Sequence, residues 1–152
     1  MAKIAYESKL KGQAKMAFKN TFKKTGLPIV TLRDRLGNPI NLLVDTGSNV
    51  SHLKLGVIEA IADSERVVPV DKNGNSVSKQ AVITASGEVS PTGYYRLTLF
   101  HGDKMFTEVF EVLDLNTTFE GWGVEIHGIL GGTFLDKYKY VLDYSDKTMF
   151  IR

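Results

Sequence analysis

The sequence contains no cysteine, which excludes disulfides and thiolate metal sites. It has three histidines, His52, His101 and His127, and they are isolated from one another in sequence. A metal site built from them with carboxylates competes with the plainer reading of surface or half-buried histidines. The plainer reading is preferred, so neither metal nor cofactor is expected. No apolar run approaches the about 20 residues that a membrane-spanning helix needs. A signal-peptide pattern is also missing, so a cytoplasmic protein without a membrane span is expected.

The chain has 152 residues, 43% hydrophobic and 24% charged, which suits one globular domain with a modest core. Its net charge of +2 is unevenly placed. Residues 1–24 carry seven lysines against the single acid Glu7, which leaves the remainder net acidic. Within that basic stretch Tyr6, Leu10, Ala14, Ala17 and Phe18 recur at three- and four-residue steps. The spacing predicts an amphipathic helix in an N-terminal extension, residues 1–25. A membrane-surface or nucleic-acid role competes here with a helix that lays its apolar stripe on the body and keeps its lysines in water. The latter is preferred. No nucleic-acid partner is expected, because the body is acidic and shows no interleaving of aromatic and basic residues.

From Gly26 onward the pattern turns to period two with β-branched residues. Residues 27–32 and 39–44 read as a hairpin around a polar turn at 33–38. A short strand at 52–55, a helix of about two turns at 56–64 and a short strand at 67–70 follow. After a polar loop at 71–78, residues 80–84 and 89–95 form a hairpin around Ala85-Ser86-Gly87-Glu88. Another hairpin pairs 95–100 with 106–113 around His101-Gly102-Asp103-Lys104. Residues 117–125 are a loop, 133–138 a short helix, and 140–144 with 149–151 a closing hairpin. Hairpin, wide loop and glycine-bearing loop thus occur twice, as a faint internal duplication.

The first hairpin runs into Leu42-Leu43-Val44-Asp45-Thr46-Gly47-Ser48-Asn49. A carboxylate buried unpaired at the end of an apolar strand costs several kcal/mol, on the order quoted for such charges. A chain that places one there has a use for it. Thr46 can lend a hydroxyl, and Gly47 lets other groups approach. The plainer reading is an Asx-type turn after a strand, with Asp45 solvated.

Far along the chain stands His127-Gly128-Ile129-Leu130-Gly131-Gly132-Thr133-Phe134-Leu135. Asp45-Thr46-Gly47-Ser48, Ile129-Leu130-Gly131 and the closing hairpin together resemble the retropepsin-like aspartic proteases, over about residues 27–152. The resemblance implies an all-β fold for residues 26–152, with a ψ-shaped loop, a flap and one or two short helices. It implies Asp45 as the catalytic acid and base, supported by Thr46, Gly47, Ser48, Ile129, Leu130 and Gly131. Substrate contacts fall to Asn49 and to the flap residues Thr84, Ala85, Ser86 and Gly87. Asp136 and Asp143 are not followed by Thr-Gly or Ser-Gly. A catalytic pair therefore requires a homodimer, with the strand 148–151 expected in its interface.

Two positions depart from the retroviral pattern, in which an Arg after the ψ-loop glycine pairs with an acid two residues past the catalytic glycine. Gly132 and Asn49 stand there instead, so the loop must be braced by other means. Ser48 resembles the pepsin-type motif, whose hydroxyl bonds the ionised aspartate. A bond to the charged form lowers a pKa, which implies an acidic optimum. Two functions remain: a homodimeric aspartic endopeptidase acting on peptides or proteins, or a catalytically inactive module of the same fold that binds a protein partner.

Overall fold

Two hairpins with alternating apolar residues supply most of the β-structure. The fold is taken from a computed structural model that describes residues 12, 14–61, 68–75, 93–113 and 123–152. In chain order the elements are β1 (Met16–Ala17), α1 (Lys19–Thr25), β2 (Ile29–Arg33), β3 (Pro39–Val44), β4 (Ser51–Lys54) and α2 (Leu55–Ile61). There follow β5 (Val68–Val70), β6 (Tyr94–His101), β7 (Lys104–Leu113), β8 (Gly128–Leu130), α3 (Gly132–Tyr138), β9 (Tyr140–Asp143) and β10 (Thr148–Ile151). No helix among the described residues is long and apolar enough to cross a membrane.

Seven strands form one sheet in the order β2-β3-β8-β4-β7-β6-β5, and β2 also meets β6 at Arg33 and Phe100, so the sheet curls on itself. Alternation fills its inside: Ile40, Leu42 and Val44 from β3, Leu97 and Leu99 from β6, and Phe106 and Phe110 from β7 all join one core. The faint duplication in the sequence has a counterpart in space. β2-β3-β4-α2 and β6-β7-β8-α3 are each a hairpin, a strand and a seven-residue helix. They enter the sheet in mirrored order, with β4 and β8 antiparallel at the centre.

The expected all-β architecture, short helices and closing hairpin are present. The hairpin expected at 80–95 lies largely outside the described residues, and with it Thr84, Ala85, Ser86 and Gly87. The basic N-terminal stretch differs from expectation in its described part. Ala14, Met16 and Phe18 are all buried, a period-two pattern, and β1 pairs with β10. A helix runs over Lys19–Thr25, and its Phe22 leans on the core. Ala14, Met16, Phe18 and Phe22 join the core of the remainder, while the part of the expected helix that carries Tyr6 and Leu10 lies outside the described residues. The closing strand β10 lies between β1, which it meets at Thr148 and Met149, and β9, which it meets along its whole length.

β8 fits between β3 and β4 only because two of its positions carry no side chain. A Cβ at Gly128 would stand 2.3 Å from the His52 carbonyl oxygen, and one at Gly131 would stand 2.2 Å from that of Val50. Gly131→Ala should therefore lower stability by about 3 kcal/mol, the upper range for overpacking a close contact. Gly56→Ala is the counterpart: nothing lies within 4 Å of its missing Cβ, and in helix α2 the change should raise stability by up to about 1 kcal/mol. Urea unfolding midpoints of the two variants test both signs.

Candidate active site

The pleat of β3 turns Val44 into the core and leaves Leu43 and Asp45 partly exposed on the opposite side. The carboxylate expected to be buried is instead open to solvent on one side. Its Oδ1 accepts the Gly47 N–H at 2.9 Å, and its carbonyl accepts the Ser48 N–H at 3.2 Å. This is the Asx-type turn of the plainer reading. A Cβ on Gly47 would meet Oδ1 at 3.2 Å, so glycine keeps that approach open.

A local turn does not account for what holds this one. The Asp45 N–H donates to Leu130 O at 3.0 Å, and β8 runs parallel to β3 with Leu43 beside Ile129 and Val44 beside Leu130. Beyond β8, the N–H of Gly132 donates to Ser48 O at 2.7 Å and that of Thr133 to Asn49 O at 3.0 Å. Residues 45–49 are thus suspended between the ends of β3 and β8. Of the candidate residues within the described chain, the structure brings together Asp45, Thr46, Gly47, Ser48, Asn49, Ile129, Leu130 and Gly131.

The brace that replaces the missing ion pair centres on Glu108, only 6% exposed. The Gly131 N–H donates to Ser51 Oγ at 3.0 Å, and Ser51 Oγ donates to Glu108 Oε2 at 2.8 Å. Thr133 Oγ1 donates to the same oxygen at 3.0 Å, while the Val109 N–H donates to Oε1 at 2.9 Å. One carboxylate so ties β4, β7, β8 and α3 together behind the Asp45 turn. Sequence reasoning missed Glu108 and Ser51. Their signal lay in the alternation Phe106-Glu108-Phe110, which puts an acid on the inward face of a strand.

Ser48 corrects a second expectation. Its hydroxyl donates to Val50 O at 2.7 Å, not to Asp45. A hydroxyl has one proton, so this bond within the loop leaves none for the carboxylate. Thr46 is exposed beside an open hollow of about 590 Å³ whose apolar walls are Leu135, Tyr140 and Leu142.

At the far end of β8, His127 extends the β3 pairing. Asn41 N–H donates to its Nδ1 at 2.8 Å, and the His127 N–H returns a bond of 2.8 Å to Asn41 O. Burial pushes the imidazole below its ordinary pKa, with Lys54 acting the same way and Glu125 opposing.

Two outcomes follow for these residues. Ser48→Ala should lower stability by about 1 kcal/mol, the worth of one hydrogen bond. It should leave the pH optimum of any activity where it was, as paired pH–rate profiles would show. His127 has a folded pKa below its unfolded value of about 6.5, so the unfolded chain binds more protons in the window beneath it. Its contribution to stability is complete above that value and is lost as pH falls through the window. Urea midpoints of the wild type and His127→Gln should accordingly diverge least in acid.

No protein-family profile matches the sequence, and no curated protein matches it. Among solved structures, the chain is similar to the retroviral protease-like domain of Ddi1 from Leishmania major, at 12% identity and a TM-score of 0.49, over 83% of this chain and 92% of that one. It is similar to a retropepsin-like aspartic protease from Rickettsia conorii, at 14% identity and a TM-score of 0.45, over 89% of this chain and 84% of that one. The third is the EIAV protease complexed with the inhibitor HBY-793, at 17% identity and a TM-score of 0.42, over 73% of this chain and 86% of that one. The solved structures that this chain is similar to are retropepsin-like protease domains.

Proposed function

We propose that the chain is an aspartic endopeptidase that acts as a homodimer, with one Asp45 from each copy at the catalytic centre. The observation that carries this reading is the suspension of the Asp45 turn from β8. A solvated turn acid gains nothing from being held by Leu130, 130 − 45 = 85 residues away in sequence. A catalytic acid does, because small displacements of a reacting group are costly in rate. The carboxylate is also partly exposed, as a group that must meet substrate has to be.

Two carboxyl groups a few Å apart cannot both ionise, so the pair shares one proton. The ionised Asp45 takes a proton from a water held between the two as its oxygen attacks the scissile carbonyl carbon. The protonated Asp45 of the other copy gives its proton to the carbonyl oxygen. The tetrahedral intermediate then collapses as the amide nitrogen is protonated and leaves. Each chain supplies one such aspartate, and a two-fold axis supplies the second. The hollow beside Thr46, with Leu135, Tyr140 and Leu142, offers apolar surface next to Asp45 for the other copy.

Asp45→Asn should abolish cleavage of a hydrophobic peptide while leaving the circular-dichroism spectrum unchanged. Association should be unchanged or tighter, since two facing acids are replaced by amides. In the wild type, specific activity should fall on dilution through the dimer dissociation constant followed by sedimentation. A monomer that cleaves at full rate would refute the dimer mechanism. A monomer that cleaves nothing from acid to neutral pH would favour the inactive binding module.

A further inference from the structure

The sheet face that carries Asp45 also carries a row of side chains leading away from it. Register places Leu43 beside Ile129, Ile129 beside His52, His52 beside Glu111 and Glu111 beside Tyr94. The row takes one residue from each of β3, β8, β4, β7 and β6, and all five are partly exposed. Their chain neighbours Val44, Leu130, Leu53, Phe110 and Tyr95 point into the core. Near Asp45 the row is apolar, and at His52 it becomes polar.

The polar end has unused bonding capacity. The Tyr94 hydroxyl donates to the Glu111 carboxylate, and that bond is the first cause of the raised Tyr94 pKa. A carboxylate has about four acceptor positions, and Tyr94 is the donor seen on Glu111 among the described residues, which leaves most of them open. His52 Nδ1 is enclosed without a hydrogen-bond partner among the described residues. A group left so costs on the order of 1–3 kcal/mol, and orphans of this kind call for an explanation. A guest that brings hydrogen-bond donors and positive charge matches the partly exposed Glu111 carboxylate, with the His52 ring beside it.

We propose that Glu111, His52 and Tyr94 form a specificity subsite for a Lys or Arg side chain of a peptide substrate. The proposal rests on the reading of Asp45 as the catalytic residue. Glu111 is three strand spacings from β3, about 14 Å, and an extended peptide advances about 3.3 Å per residue. A long basic side chain two to four positions from the scissile bond covers that distance. Its aliphatic stem lies over Ile129, and its charged head reaches Glu111. A guanidinium can also grip the carboxylate with two parallel bonds.

The test compares matched peptides carrying Lys or norleucine at the second, third or fourth position on either side of the cleaved bond. At one position the wild type should favour Lys at least tenfold in kcat/KM. Glu111→Gln should bring that ratio close to one, and Glu111→Asp, which keeps the charge, should retain part of it. A wild-type ratio of one at every position, or a preference that survives Glu111→Gln, overturns the subsite. Fluorescence anisotropy of the same peptides on the Asp45→Asn protein, with and without Glu111→Gln, gives a reading that needs no catalysis. If no peptide is cleaved but Lys still binds better through Glu111, the peptidase reading fails and the subsite stands. Cleavage with no basic preference removes the subsite alone.

Discussion

The arrangement depends on one close approach, the passage of β8 between β3 and β4. There the backbone of Gly131 comes so near Val50 that any side chain would collide with it, and Gly128 is in the same position against His52. Interiors are too densely packed to absorb such a collision without displacing neighbours. With the passage open, β8 can be parallel to β3 and antiparallel to β4 at once. Its end then receives the Asp45 N–H, while the chain just beyond it donates to Ser48 and Asn49. Thus the shape of the Asp45 turn is set by residues of the other half of the chain.

A buried acid braces the loop in which Gly132 and Asn49 leave no ion pair to do so. Glu108 gathers two hydroxyl protons and one N–H, and these donors occupy its acceptors. Hydrogen bonds to a charged acceptor are shorter and stronger than neutral ones. Buried charges that lack them are unstable. This solution draws its donors from β4, β7 and α3, elements that do not touch Asp45 directly. Asp45 and the row from Ile129 to Glu111 stay partly exposed.

The parts legible in sequence were those set by local chemistry. Alternation announced the hairpins, and the polar turn at 33–38 and the glycine at 102 marked their reversals. The pairing of Asp45-Thr46-Gly47 with Ile129-Leu130-Gly131 came from resemblance, because no local rule links segments so far apart. The rest was decided by tertiary contacts. Ala14, Met16 and Phe18 fit an alternating pattern only once β10 is there to pair with β1. Loop geometry gives the Ser48 hydroxyl to the Val50 carbonyl rather than to Asp45. The parallel pairing of β4 with β7 joins Ser51 to Phe110, a long-range choice that short-range periodicity cannot express.

The mirrored order of the two halves has a consequence for how the chain comes to be folded. Asn41 and His127, which close the β3–β8 pairing, are 86 residues apart, and Ser51 and Gly131 are 80 apart. Contacts of such separation form late, after loop closure has been met by other interactions. During synthesis the first hairpin can pair as soon as it is made, yet its Asp45 turn has nothing to hang from. The brace arrives only when residue 131 and the helix after it have left the ribosome. A nascent chain of this fold therefore carries its acid long before it can hold that acid in place, and a truncated one never does.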